Sequence, residues 1–244
     1  MGAEEQALTQ SLRTHVEQLA GEIGERNIFR PQALRAAASY IERQWEQQGY
    51  VVERLAYEVS GVRSLNLEIT RSGGARKREI LLIGAHYDTV VGSPGANDNA
   101  SGVSALLEIS RLFASIEPVL TVRFVAFVNE EAPFFTRRQQ GSMVYAEAAR
   151  RRSDDIRLMA SIETIGWYSD EPGSQSYPPL FNLFYPDHAD FIGIVFVRGR
   201  QCSVLRRRFV QIRISHLRPR RRSHLSLESP GAIIGRFGGK AIVP

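Results

Sequence analysis

The sequence predicts an α/β fold: a three-layer arrangement in which a central, mainly parallel mixed β-sheet is flanked by helices. Three observations carry this. Short apolar runs at residues 80–85, 120–128 and 158–165 read as buried central strands. Stretches of helical spacing separate them, the alternation that a parallel sheet covered on both faces requires. The length of 244 residues suffices for one such domain with a sizeable core.

In chain order, residues 4–24 carry Leu8, Leu12, Val16, Leu19 and Ile23 at helical spacing and predict an amphipathic helix. Pro31 opens a second helix, whose apolar face is Leu34, Ala38, Ile41 and Trp45 and which Gly49 ends. Residues 50–59 alternate through Val52, Leu55, Tyr57 and Val59, a half-exposed strand. Residues 64–70 alternate through Leu65, Leu67 and Ile69, and Ser72-Gly73-Gly74 makes a turn. After the strand at 80–85, residues 101–113 predict a helix burying Val103, Leu106, Leu107, Ile109 and Leu112. A central strand at 120–128, a helix at 141–152 with a basic end, and a third buried strand at 158–165, with Glu163 inside it, complete the pattern. Residues 169–180, rich in Ser, Pro and Gly, read as a surface loop.

The net charge is +5, but ten arginines fall between Arg198 and Arg222 without one acid, which leaves −5 on the rest. The basic character belongs to the C-terminal segment. A nucleic-acid-binding arm would use such arginines on phosphates, but the stretch has few aromatics for stacking bases, so no nucleic-acid partner is expected. A single cysteine, Cys202, excludes an internal disulfide framework. No apolar run approaches the ~20 residues of a membrane span, and residues 1–13 lack the apolar core of a signal peptide. A cytoplasmic protein without a membrane partner is the expectation.

Polar residues gather where the apolar runs stop: His86, Asp88, Glu130, Glu131 and Glu163, with Asp98 in the loop between the first two strands. Active sites of open α/β sheets lie past the carboxyl ends of strands. One imidazole with several carboxylates is a ligand set for zinc, or less selectively for manganese or cobalt. Three or more carboxylates accommodate two metals more readily than one, and such a pair can polarise a carbonyl and activate water. At a strand end the side chains of Glu130 and Glu131 diverge, so one can ligate while the other takes a proton. Asp88 lies two residues from His86, on the same side of an extended chain, and can hold the imidazole. Taken singly, each has a plainer reading: a solvated histidine, a glutamate turn, an aspartate doing turn chemistry between Asn97 and Asn99. Their shared position argues for a metal site.

The segments GAHYDTV (84–90), GANDNASG (95–102) and FVNEE (127–131), in this order, resemble the co-catalytic dizinc aminopeptidase family. That family also holds glutamate carboxypeptidases and non-enzymatic relatives such as the transferrin receptor. The similarity runs from about residue 8 to about residue 191, and SIETIGWYSD (161–170) is similar to the family's fourth ligand segment. The resemblance implies a zinc-exopeptidase architecture and an aminopeptidase acting on peptide or aminoacyl substrates. It implies two zinc ions, with His86 on one, Asp98 bridging both, Glu131 on the other, and Glu163 as the second protein ligand of the His86 zinc. Glu130 is then the general base and Asp88 orients His86. Retention of Glu130 and four ligands weighs against a non-catalytic, receptor-like relative.

The chain departs from the family pattern twice. Glu163 stands where the family commonly has aspartate. The final histidine ligand, in a segment resembling Asp-His-Trp-Ser-Phe-Trp followed by Gly-Tyr-Pro, is missing. His188 comes too early, and His216 and His224 sit among arginines. The codons for residues 232–237, read from the third base of the Ala232 codon, permit Asp, His, Trp, Ser, Phe and Trp in that order. Read on to Pro244, they permit two variable residues, then Gly, Tyr, a variable residue, and then Pro or Ala. The expectation is a reading frame that slips near Arg213. Residues 1–213 would then be a peptidase domain incomplete at its C-terminal end, residues 214–244 an out-of-frame tail, and the enzyme impaired by the lost ligand.

Overall fold

A computed structural model describes residues 2–175, 187–196 and 208–213. The chain divides into two compact units, one up to Gly166 and one from Trp167 onward. The tail at 214–244, with His216 and His224, lies outside the described residues.

In the first unit, the predicted opening helix is an α-helix, α1 (Ala3–Val16), continued by a π-helical segment (Glu17–Ile23). Its apolar stripe is buried less than expected: Leu8 is 36% exposed, while Leu19 is buried. Helix α2 (Pro31–Gln47) begins at its proline, which lacks the N–H that a first turn does not need. It ends before Gly49, whose φ of 87° lies in the left-handed region that favours glycine. Leu34, Ala38, Ile41 and Trp45 are buried, as their spacing requires.

Strands β1 (Glu53–Val59), β2 (Val62–Arg71), β3 (Arg76–His86), β4 (Leu120–Phe127) and β5 (Asp155–Ser161) form one sheet in the order β1-β2-β4-β3-β5. β3 pairs in parallel with β4 and β5, whereas β2 pairs antiparallel with β1 and β4. The sheet is therefore evenly mixed, with parallel pairing confined to the half that carries the site. Helix α3 (Gly102–Phe113) lies in the β3-to-β4 connection and α4 (Gly141–Arg152) in the β4-to-β5 connection.

Alternation along the strands gives each face its own core. Leu67, Ile69, Val122, Phe124 and Ala126 pack with Ile41, Trp45, Leu106 and Leu107 from α2 and α3. Leu82, Val125 and Phe127 pack on the opposite face with Tyr145 and Ala149 of α4. Each such large apolar side chain contributes roughly 1.5–3 kcal/mol by burial.

Two expectations need correction. The third strand was expected to be buried over residues 158–165, but it spans Asp155–Ser161 and is largely exposed, with Leu158 at 50% and Met159 at 37%. It lies at the sheet edge, paired only with β3 among the described residues, and Glu163 follows it in the loop. Leu112 is 52% exposed. The inward stripe of α3 instead takes Glu108 and Ser110, polar residues with partners on neighbouring helices.

In the second unit, β6 (Phe191–Phe196) and β7 (Arg208–Arg213) form an antiparallel pair. Ser169 bridges Ala189, and His188 Nδ1 lies 2.8 Å from Asp187 Oδ1.

Candidate metal centre

The site is built where β3 and β4 end side by side. His86 is paired with Phe127 in parallel register, and Tyr87 N donates to Phe127 O at 2.9 Å. Just beyond, the Asp88 carboxylate crosses from one strand end to the other and accepts Glu130 N and Glu131 N, both at 3.1 Å. The chain turns at Asn129, whose φ of 59° is left-handed, a conformation asparagine tolerates better than most residues. Its buried amide donates to Ser64 Oγ (2.9 Å) and Tyr57 OH (3.2 Å), which fixes the turn.

His86 is 1% exposed. Its Nδ1 lies 3.1 Å from its near neighbour's carbonyl, Asp88 O, and 3.6 Å from Asp88 Oδ1. The orienting contact is thus chiefly main-chain, with the carboxylate behind it. This contact makes Nδ1 the donor and leaves the lone pair on Nε2. Nε2 is buried and makes no aligned hydrogen bond. Three carboxylates face it instead: Asp98 Oδ1 at 3.0 Å, Glu163 Oε2 at 3.3 Å and Glu131 Oε1 at 3.8 Å. Ligand atoms of His86, Asp98 and Glu163 all lie within 4.8 Å of one another. Burial disfavours a charged imidazole, but Glu163, Asp88 and Asp98 outweigh it and hold the His86 pKa well above its ordinary value. A pocket of this charge attracts a cation to Nε2, and a donor set of one imidazole and three carboxylates suits a metal.

The carboxylates come from three separate segments, and each is held. Asp98 sits in the kinked turn Ala96–Ser101 before α3, with a non-helical backbone (φ −111°, ψ 95°). Glu163 Oε1 accepts Ser161 Oγ at 2.7 Å, and Glu163 Oε2 accepts Asn99 Nδ2 at 3.1 Å. Asn99 is fully buried and joins the Asp98 turn to the Glu163 segment: Nδ2 also donates to Ile162 O (2.8 Å), and Oδ1 accepts Gly102 N (3.1 Å) and Thr164 N (3.3 Å).

Glu130 points elsewhere. It is 5% exposed, and its carboxylate accepts Ser142 N at 2.6 Å, Gln140 Nε2 at 2.6 Å and Ser142 Oγ at 2.9 Å, at the start of α4. A carboxylate suits that end of the helix. Gly141 makes the approach possible, since a Cβ there would lie 2.2 Å from Val128 O. Asn66 on β2 braces the same junction: its Nδ2 donates to Gly141 O (2.7 Å) and its Oδ1 accepts Val128 N (3.1 Å). Burial pushes the Glu130 pKa up, and the Gln140 and Ser142 donors only partly offset this. For Asp88, burial also pushes upward, but His86 and the two amides outweigh it and hold the carboxyl below its usual range.

Every residue singled out in the sequence therefore lies at this end of the sheet. His86, Asp98 and Glu163 converge on one point, Glu131 Oε1 lies 3.8 Å from His86 Nε2, Asp88 ties the strand ends together, and Glu130 is anchored to α4. Sequence reasoning missed Asn66, Asn99, Gln140, Ser142 and the buried Arg26. Asn99 had a signal in the Asn97-Asp98-Asn99 run, which reads equally as a turn.

Residues 66–186 match Peptidase family M28. The uncharacterized protein YfbL of Escherichia coli (strain K12) is 35% identical over 211 residues, which covers 83% of this chain and 62% of YfbL. The chain thus spans about three-fifths of that relative's length. BSAP, a zinc aminopeptidase from Bacillus subtilis, superposes with a TM-score of 0.58 at 15% identity, covering 69% of this chain and 74% of BSAP. A Bacteroides thetaiotaomicron glutaminyl cyclase bound to N-acetylhistamine superposes at 0.54 with 20% identity, over 67% and 63% of the two chains. These two likenesses establish the fold: a mixed five-stranded sheet between helices. Over residues 66–186 the chain is thus similar to peptidase family M28.

Proposed function

We propose that this chain is a zinc-dependent exopeptidase, an aminopeptidase that hydrolyses the N-terminal peptide bond of its substrate. The observation that carries the reading is the buried, unbonded Nε2 of His86, faced by carboxylates from three segments. The names of relatives such as BSAP, a zinc aminopeptidase, support zinc as the metal.

In this reading His86, Asp98, Glu131 and Glu163 would be the residues that hold zinc. Bound zinc supplies Lewis-acid polarisation of a peptide carbonyl and eases deprotonation of water. The chain's own residues do the rest. Asp88 fixes the imidazole tautomer through its carbonyl and sets Glu130 and Glu131 through their amides. Glu130 takes the proton from the attacking water and returns it to the leaving amine. Its raised pKa brings it closer to the operating pH, as a proton carrier needs. Ser142 Oγ can rotate away and free one lobe of Oε2 for that exchange, while Ser142 N keeps Oε1 in place.

Residues 1–213 are proposed as the peptidase domain and 214–244 as an out-of-frame tail. The chain as written then lacks the last histidine ligand, which leaves the Glu131 zinc with two protein ligands where three are usual. The test restores the frame by one base near codon 213 and compares zinc content and turnover on aminoacyl p-nitroanilides, with an N-terminal glutaminyl peptide as a cyclisation control. Two zincs and peptidase turnover in the restored protein, with about one zinc and little turnover in the present chain, are expected. Glu130→Gln in the restored protein should keep zinc and lose ~10²–10⁴-fold in rate. Equal activity with and without the restored frame would overturn the tail reading, and absence of zinc from both would overturn the metal site.

A further inference from the structure

Arg26 is fully buried, yet among the described residues no carboxylate pairs with its guanidinium. It is spent on main-chain carbonyls. Nε donates to Tyr87 O at 2.6 Å, and NH1 to Pro94 O at 2.6 Å and to Leu19 O and Gly24 O, each at 3.1 Å. NH2 donates to Gly95 O at 3.3 Å. Burying a guanidinium away from water is expensive unless its donors are filled, and here three of the filled acceptors lie on the loop between His86 and Asp98.

The placement is specific. Tyr87 separates His86 from Asp88, and Pro94 and Gly95 come just before the turn that carries Asp98. The rigid fork of a guanidinium spans both ends of this loop at once, which an ammonium cannot do. The main chain repeats the grip: Arg26 N donates to Thr89 Oγ at 3.1 Å, Thr89 N donates to Arg26 O at 2.9 Å, and Asn27 Nδ2 donates to Thr89 O at 3.3 Å. Gly95 completes the clip, with φ of 64° and space for no Cβ, which would fall 2.4 Å from Thr89 Cγ2. Burial lowers the Arg26 pKa to about 10, while Asp88 and Asp98 raise it, so the charge also sits within electrostatic reach of both acids.

We propose that Arg26 is a positioning residue for the metal centre: by gripping both ends of the 87–95 loop it sets the separation of His86 and Asp98, and with it the affinity for the first metal ion. This rests on the reading of His86, Asp98 and Glu163 as ligands. Arg26 touches no ligand atom and acts through the main chain.

The experiment measures zinc affinity of the full chain by competition with a chromophoric chelator, under conditions where circular dichroism shows each variant folded. Arg26→Gln should weaken zinc binding about 10–100-fold, the usual cost of losing support behind a metal ligand. Arg26→Lys, which keeps the charge but reaches one end of the loop, should fall in between. Trp45→Phe, in the core between α2 and α3, is the stability control: it should lower the melting temperature and leave the zinc affinity within twofold. Should Arg26→Gln fail to fold, Thr89→Val tests the same clip and should weaken zinc about threefold or more. Unchanged affinity in the folded Arg26 variant, or in Thr89→Val if that variant stands in, would overturn the proposal; so would an equal loss in Trp45→Phe. A parent chain that binds no zinc, with His86→Ala indistinguishable from it, would instead sink the ligand reading itself and this inference with it.

Discussion

His15 and His86 are both buried, at 5% and 1% exposure, and both sit beside carboxylates, yet their pKa values move in opposite directions. His15 has both ring nitrogens occupied: Nδ1 lies 2.6 Å from Tyr40 OH, and Nε2 lies 3.3 Å from Glu108 Oε1. That one carboxylate is already shared with Ser11 Oγ (2.6 Å) and Arg111 Nε (2.8 Å). Burial therefore wins, and His15 stays neutral to lower pH than a free histidine. His86 has one nitrogen occupied and the other turned to several carboxylates, so charge wins. A buried histidine beside an acid is not in itself a metal ligand. What separates the two is an unsatisfied ring nitrogen and an excess of negative charge aimed at it.

The sharpest test of this contrast is replacement of each histidine in turn. His86→Ala should abolish zinc binding, read as metal content after dialysis, while His15→Ala should leave the content unchanged. Zinc retained by His86→Ala would erase the distinction. Next in size, Glu163→Gln should weaken the first zinc by about tenfold or more, because a neutral amide replaces one of the charges facing Nε2. Glu163→Asp, which keeps the charge on a shorter arm, should cost less.

On the His15 side the effects are on stability alone. His15→Ala should cost ~1–3 kcal/mol in denaturant unfolding, since it leaves Tyr40 and Glu108 short of a buried partner. The two histidines also predict opposite pH trends in chelator-treated protein. His15, with its folded pKa below 6.5, withdraws stability as pH falls from 6.5 through that lowered value. His86, with its folded pKa above 6.5, contributes fully below 6.5 and loses that contribution as pH rises through the elevated value. Melting temperature followed against pH should lose its acid-side decline in His15→Gln and its neutral-side decline in His86→Gln. The smallest effect is expected from Ser11→Ala, ~0.5–1.5 kcal/mol with no change in zinc, since Arg111 still holds Glu108.

Much of this end of the molecule was readable in the chain itself, and the reasons are local. His86, Glu130 and Glu131 stand out because a polar residue after an apolar run marks a strand end. Helix α2 is delimited by Pro31 and Gly49, whose backbone preferences need no tertiary context. What was not readable depends on distant partners. Arg26 and Asn99 work by hydrogen bonds to main chain some 60 residues away, which leaves no periodicity. The apolar content of β5 resembles that of β3, yet among the described residues one is central and the other lies at the edge, because strand order is not written in composition. Leu112 was placed inside α3 by spacing, but the polar knot of Glu108 and Ser110 turned that stripe of the helix inward instead.

Asp88 carries a consequence in time as well as in geometry. The amides of Glu130 and Glu131 follow the last residue of β4, where a loop would ordinarily exchange its hydrogens with solvent within moments. Both are closed by one buried carboxylate anchored on the neighbouring strand end. They should therefore exchange only when β3 and β4 part, at the slow rate of the sheet interior rather than that of a loop. The imidazole and the glutamate pair then fluctuate as a single body, so a ligand arriving at one finds the others already in step.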